Sequence, residues 1–452
     1  MDRDFTTHLP DVREAALRPH ERSGWRFWGL AAVLGLLVAL GVVAYLIQIT
    51  RGLGVAGYSD QSFWGIYEAN LVAFIGVSYG GALVSAILRL THARWRAPIT
   101  RLAESMAVFS LLVGMLFALI HLGRPERIWE MVVTPNISSP LVWDFTAIMS
   151  YLVVTLIFLY LPLIPDLAIL RDRRASGGLW SRLYGFFAMN WRDWPEQWRA
   201  LNGALTAVAI LIIPLAVSVH SVLSWAFAVT ERPGWHSTIF GPYFVVAALY
   251  SGVGAVILVV AGFRHGYRLG RYITVKHFQY LAYLMLTLDL LYLYFTFTEL
   301  LTEGYAMDED VVPIVASLLV GQYAPYFWLF ITAGGLLPLL LVALPRTRTI
   351  PGIVVAASLT VAGMWLKRLL IVVPAVAHPL IAGEWGSFQP TWIALGITLG
   401  AAAAIPLFLM FFFKLVPILA IGEIEEMAAE VETTVTPAQT VEPALVEGGV
   451  GQ

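Results

Sequence analysis

The amino-acid sequence predicts an all-α polytopic membrane protein with about ten transmembrane helices. Composition is the first ground. Of 452 residues, 59% are hydrophobic and 13% charged, against about 25% charged in an ordinary soluble domain. Patterning is the second. The apolar residues gather in runs such as 103–120, interrupted early by Glu104 and Ser105, and about 20 apolar residues in a row span a bilayer as a helix. The alternating period of a membrane β-barrel is missing from the sequence, which leaves helices as the spanning form. A net charge of −2 offers no basic footprint for nucleic acid. With no cysteine, the chain forms no disulfide and holds no iron–sulfur cluster on thiolates of its own.

Charges and Pro/Gly positions divide the runs into spans at 26–48, 66–90, 101–121, 141–164, 201–229, 240–263, 277–301, 322–344, 351–376 and 391–419. The first is entered from Arg26 and left at Arg51-Gly52; the second follows Gly65 and stops ahead of Arg94. The third starts behind Pro98 and meets Gly123-Arg124-Pro125, and the fourth opens at Pro140 and closes near Pro165. The fifth lies between Arg199 and Glu231, the sixth ends against Arg264, and the seventh runs from Lys276 towards Glu303-Gly304. The eighth stops at Pro345-Arg346, the ninth follows Pro351 and ends before His378-Pro379, and the tenth follows Pro390 and carries Lys414.

Lys and Arg fall mostly on one side of these spans: 22 lie with the N-terminal segment, the loops after even-numbered helices and the end of helix 10, and 4 (Arg51, Arg124, Arg127, Arg232) lie opposite. The positive-inside rule then places both termini in the cytoplasm, in a bacterial inner membrane. The expected organisation is a cytoplasmic leader (1–25), helix 1 with an outer loop (26–65), a four-helix bundle of helices 2–5 (66–229), a second of helices 6–9 (230–376), an outer loop with helix 10 (377–419), and a disordered acidic tail (420–452). The long inner loop around 164–200, with Arg171, Arg173, Arg174, Trp191, Trp194 and Trp198, reads as an amphipathic segment at the interface. An internal echo supports the pair of pseudo-symmetric bundles: Pro140-Leu-Val-Trp143-Asp144-Phe145 opens helix 4 and Pro325-Tyr-Phe-Trp328-Leu329-Phe330 opens helix 8. Asp144 in the first half corresponds to Leu329 in the second.

Ionisable groups inside spans are costly and mark functional candidates. On this topology Glu68, His121, Asp144, His220, Glu299 and the Lys367/Arg368 pair all lie towards the outer side, with Asp289 near mid-depth. Each has a plain alternative. Glu68 and Asp144 suit a helix N-terminus and His121 a C-terminus, His220 suits a core hydrogen bond, and Lys367 and Arg368 suit a buried counter-charge, with Glu299 and Asp144 as candidates. Their clustering suits quinol chemistry. Quinol oxidation releases two protons with two electrons, so an apolar slot with a histidine or acid at a ring hydroxyl is the requirement. His121 and Asp144, on adjacent helices joined by a loop, would meet the hydroxyls, and Glu68 would take the proton onward. A path to the other side would run past Asp289, Ser85 and the tyrosines Tyr280, Tyr283, Tyr292 and Tyr294. The alternatives are a secondary transporter with a parallel repeat, a haem b subunit using His121 and His220, and a structural anchor.

The stretches Ile120-His121-Leu122-Gly123-Arg124-Pro125 and Ser139-Pro140-Leu141-Val142-Trp143-Asp144 resemble the NrfD/PsrC-like family of quinone-interacting membrane subunits. Ser218-Val-His220-Ser-Val-Leu-Ser-Trp225-Ala-Phe227, Pro233-Gly-Trp235-His236-Ser237-Thr238, Gly76–Ser85 and Trp365-Leu-Lys367-Arg368 are most similar to the ActC subunit of bacterial alternative complex III. The resemblance implies ten helices in two pseudo-symmetric bundles, with menaquinol or ubiquinol as substrate and no metal, haem or iron–sulfur centre in this chain. It implies as partners an iron–sulfur subunit on the periplasmic face, c-type haem subunits and a second NrfD-like subunit. It assigns His121, Asp144 and, more loosely, Glu68 to catalysis, with Arg124 and Trp143 lining the quinol site. Asp289, Glu299, His220, Lys367 and Arg368 are then the expected proton path. Two positions depart from the pattern: Tyr79 stands where comparable members often carry His, and Lys367 where they often carry an acid.

Overall fold

In the computed structural model, the chain is described over residues 10–21, 23–60, 62–173, 178–380 and 383–425. Ten helices in these residues are long and apolar enough to cross a membrane: α1 (Trp25–Arg51), α2 (Ile66–Leu90), α3 (Ala97–Ile120), α4 (Pro140–Tyr160), α5 (Pro195–Ala228), α6 (Phe240–Gly266), α7 (Val275–Ala306), α8 (Ala324–Ala343), α9 (Ile350–Ala377) and α10 (Trp392–Leu415). Several exceed the expected spans because polar first and last turns continue the helix beyond the apolar run. Proline begins or nearly begins α4, α5, α8 and α9, where its missing N–H costs nothing. Thr349 Oγ1 accepts from the Gly352 N–H at the start of α9, and Thr391 Oγ1 from the Ala394 N–H at the start of α10.

Helices α2–α5 pack as a ring, each on the next and α5 back on α2; α6–α9 do the same. The rings meet mainly through α2 against α6, supported by α5 on α6 and α9 on α2, while α1 pairs with α10, which lies against α3. The contact between rings depends on two glycines. A Cβ added to Gly80 would lie 2.3 Å from the Gly252 Cα, so the backbones cross with no room for a side chain. Close approach through small residues is how membrane helices gain packing energy without a hydrophobic driving force. Gly80→Leu should therefore wedge the rings apart, at about 1–3 kcal/mol or more. The expected result is loss of the monodisperse peak in size-exclusion chromatography of the detergent extract, whereas Gly262→Leu, where an added Cβ meets nothing within 4 Å, should leave the peak intact.

Helix α8 is irregular. It widens to π geometry over Phe330–Leu336, next to Pro338. That proline offers no N–H to the carbonyl four residues back, and the Gly334 carbonyl accepts from the Tyr250 hydroxyl at 3.0 Å.

The end of the molecule holding Arg101 is closed by the described segments before α1 and after α10. A helix at Pro10–Glu21 buries Val12, Ala15, Ala16 and Leu17, and Ile418 N–H donates to the Ala16 carbonyl at 3.0 Å. After Leu415 the chain leaves the helix at extended Val416, and Ile418, Leu419, Ala420, Ile421 and Ile424 are buried. The tail expected from residue 420 is thus packed as far as Glu425; its remainder, 426–452, lies outside the described residues, as do residues 1–9 of the leader. Between α4 and α5, Leu163–Arg173 and Leu179–Phe187 form two short helices. The second leaves Leu179, Trp180 and Phe186 exposed, as expected of an interfacial segment, whereas Trp191 is buried inside the turn that follows.

Candidate functional site

At the opposite end, three helix termini converge. Glu68 sits in the first turn of α2, His121 caps the last turn of α3, and Asp144 sits near the start of α4. The Nε2 of His121 is 3.9 Å from Glu68 Oε2. Its Nδ1 lies 3.1 Å from the Phe117 carbonyl oxygen. A carbonyl only accepts, so Nδ1 carries the proton, and Nε2 is the atom turned to Glu68. Asp144 lies within electrostatic reach of Glu68, and its Oδ1 is buried with no hydrogen-bond partner among the described residues. Three of the residues singled out in the sequence therefore share this end, with Glu68 and His121 paired and Asp144 within electrostatic reach of Glu68.

Aromatic rings wall the pair. Phe117 stacks on Phe74 and tilts against Tyr67, and Tyr58 lies between Tyr67 and Phe388. Tyr58 belongs to the α1–α2 loop, where Gly57 turns with φ +91° and a Cβ would meet the Gln389 carbonyl. Burial pushes the Tyr58 hydroxyl well above the ordinary tyrosine range, so it stays protonated; it accepts from the Tyr67 N–H at 3.2 Å. Two uncharged amides stand nearby. Gln48 in α1 is buried at the pair, and Asn70 accepts from Trp365 Nε1 at 2.7 Å and donates to Thr398 Oγ1 at 2.8 Å, tying α2 to α9 and α10. Arg124 is exposed in the α3–α4 loop. Trp143 donates its indole N–H to the Ile137 carbonyl at 2.6 Å, so the indole is not a free donor.

The residues expected on a proton path divide. Lys367 pairs with Glu299 at 3.5 Å inside the second ring, with Tyr243 and Phe330 about its ammonium. Arg368 does not reach Asp144, the other counter-charge considered. It points into the α2–α6–α9 junction, donating to Ser251 Oγ at 3.0 Å and the Met364 carbonyl at 3.1 Å. Asp289 is buried beside the Tyr250 hydroxyl. Of the four tyrosines considered with it, only Tyr292, one turn away, faces inward; Tyr280, Tyr283 and Tyr294 are on the exposed face of α7. The inward partners come instead from α6, as Tyr243 and Tyr250. Ser85 donates to Glu104 at 2.7 Å, both buried near the Arg101 end. His220 is buried with its ring 4.4 Å from that of Tyr79. His121 and His220 thus take different neighbours, which gives no support to a bis-histidine haem. Among the described residues no group of three or more His, Cys, Asp or Glu is placed to hold a metal ion.

Ten spanning helices, eight of them in two packed rings, with an acid–imidazole cluster at one end of the first ring, define a polytopic membrane protein with an ionisable site near its surface. The chain belongs to the NrfD family, described as polysulphide reductase, NrfD, which it matches over residues 54–379. A Halobacterium salinarum protein described as a membrane subunit of a dimethyl sulfoxide reductase is 30% identical over 421 residues, 86% of this chain and 91% of its own length. A selenate reductase subunit of Mesobacillus selenatarsenatis is 27% identical, covering 78% and 83% of the two chains. The Hdr-like menaquinol oxidoreductase integral membrane subunit of Archaeoglobus fulgidus is 25% identical, covering 78% and 80%.

Proposed function

We propose that this protein is the quinol-oxidising membrane subunit of an electron-transfer complex, with its site at the Glu68 end facing the outside of a bacterial cytoplasmic membrane. The observation that carries the reading is the 3.9 Å Glu68–His121 pair, with Asp144 within electrostatic reach of Glu68, at the end opposite the Lys/Arg-rich loops. One ring hydroxyl of menaquinol or ubiquinol would meet His121 Nε2, with Asp144 at the same end of the slot and Glu68 passing the proton on. The family membership and the relative named for menaquinol support this. With no cysteine in the chain to hold an iron–sulfur cluster, the electrons would leave through a partner.

The motifs at Ser218–Phe227 and Pro233–Thr238 favour the alternative complex III type. An iron–sulfur subunit would then dock on the outer face, with c-type haem subunits beyond it and a second NrfD-like subunit alongside. A path past Asp289, Glu299, His220, Lys367 and Arg368 would couple turnover to proton movement. The relatives named for dimethyl sulfoxide and selenate reductases favour a second reading, in which the electrons go to a reductase; on that reading the complex needs no c-type haem subunit. Purification of the native complex separates these: a reduced α-band near 550 nm typical of c-type haem goes with the first, and its absence from an active complex with the second. For the site itself, Glu68→Gln should lower steady-state quinol oxidation about 10- to 100-fold in a complex that assembles normally. Unchanged turnover would remove Glu68 from the reaction.

A further inference from the structure

Helix α1 belongs to neither ring and turns most of its surface outward, yet it buries one polar side chain. Its covered stripe is Ala31, Gly41, Ala44 and Gln48, held against α10 where a Cβ on Gly41 would meet the Gly400 Cα at 3.1 Å. A buried amide inside a membrane must have its hydrogen bonds satisfied, and Gln48 spends both ends of its amide at the candidate site. Its Nε2 donates to the Ile120 carbonyl at 2.8 Å, and its Oε1 accepts from the Tyr67 hydroxyl at 2.5 Å. Ile120 immediately precedes His121, and Tyr67 immediately precedes Glu68. The Ile120 carbonyl is among the last four of α3, which have no partner within the helix, so Gln48 also caps the helix that carries His121.

We propose that Gln48 is a positioning residue for the quinol reaction. A single amide from α1 ties the end of α3 to the start of α2 and so fixes the separation of His121 Nε2 from Glu68. Helix α1 is then a working part of the site as well as a membrane anchor. The inference rests on the function proposed above, in which that separation governs proton acceptance.

The test is quinol oxidation by the assembled complex, measured over a range of pH for Gln48→Leu and Tyr67→Phe, with His121→Ala alongside. Misplacement by about 1 Å costs on the order of 100-fold in rate. The expected result for Gln48→Leu is thus a fall in kcat of about 10- to 100-fold, a KM within about twofold of native, and a displaced acid limb of the pH profile. A packing defect alone would lower the amount of complex and leave that limb in place. Tyr67→Phe, which removes one of the two bonds without changing shape, should displace the limb in the same direction; it carries the test if Gln48→Leu does not assemble. Native kcat, KM and pH profile in the variant that assembles overturn the proposal. If His121→Ala is inactive in that experiment, the overturning is confined to Gln48 and the site reading stands. If His121→Ala is fully active, the site reading falls and the positioning role falls with it.

Discussion

Asp144→Asn should abolish most quinol oxidation, by about 10²–10⁴-fold in kcat, in a complex whose abundance and helix content are unchanged. The size follows from what a positioned proton acceptor contributes to a reaction of this kind. Asn keeps the shape of the side chain and one acceptor oxygen, replaces the other by an NH2 donor, and cannot take up a proton. Asp144 Oδ1 is buried and has no partner among the described residues, so the substitution breaks no hydrogen bond of the resting protein. That makes it a cleaner probe than His121→Ala, which also removes the contact to the Phe117 carbonyl. Asp144→Glu should recover part of the rate, because it restores the carboxylate at a displaced position. Native turnover in Asp144→Asn would show that the carboxylate takes no part.

The second large effect concerns folding. Asp166→Ala should destabilise the protein by about 3–5 kcal/mol, the cost of leaving a buried charge without its partner. Arg101 and Asp166 are fully buried and 2.9 Å apart. Arg101 also donates to the Pro162 and Pro417 carbonyls, and Asp166 accepts from the Ile421 and Gly422 N–H groups. Removing Asp166 therefore strips a guanidinium and two backbone donors at once and frees the segment after α10 from the Arg101 end. Arg89 and Arg96, which converge on Glu423 at 2.7 and 2.5 Å, would lose their acid as that segment left. The expected observation is a loss of the thermal transition in detergent, with cleavage by added protease near residues 416–425. Replacing the pair together, Arg101→Met with Asp166→Leu, should recover a measurable part of the stability, since apolar residues satisfy the buried space without a charge. Equal instability of the single and double variants would place the energy in the backbone contacts to Ile421 and Gly422 instead.

These two sites differ in how far the sequence exposed them. Glu68, His121 and Asp144 stand out because an ionisable residue within an apolar run is rare, and the alternation of helix direction puts all three at one end. Their convergence was legible from topology alone. Gln48 was not, because an uncharged amide near a helix end is unremarkable until the structure shows which carbonyl and hydroxyl it joins. Helix limits followed the apolar runs to within a few residues, and the excess in α5 and α7 comes from charged turns that hydropathy does not count. The segment after α10 was hidden for another reason. Ile418–Ile424 is too short to read as a span and adjoins a Glu-rich stretch, so its burial depends on Asp166, Glu423 and the N-terminal helix, contacts between residues hundreds of positions apart. The partner of Arg368 was likewise a matter of rotation about α9. Lys367 and Arg368 are adjacent and diverge by about 100° around the helix, so one meets Glu299 in the second ring and the other Ser251 at the junction.

Photoaffinity labelling of the assembled complex with an azidoquinone, followed by peptide mapping, tests the central claim most directly because it reads binding without relying on turnover. Label is expected on peptides containing 66–75, 117–124 or 140–147, competed away by excess unmodified quinone and reduced in His121→Ala. Competable label confined instead to peptides around Glu299 and Lys367 would contradict it and move the quinone site to the second ring.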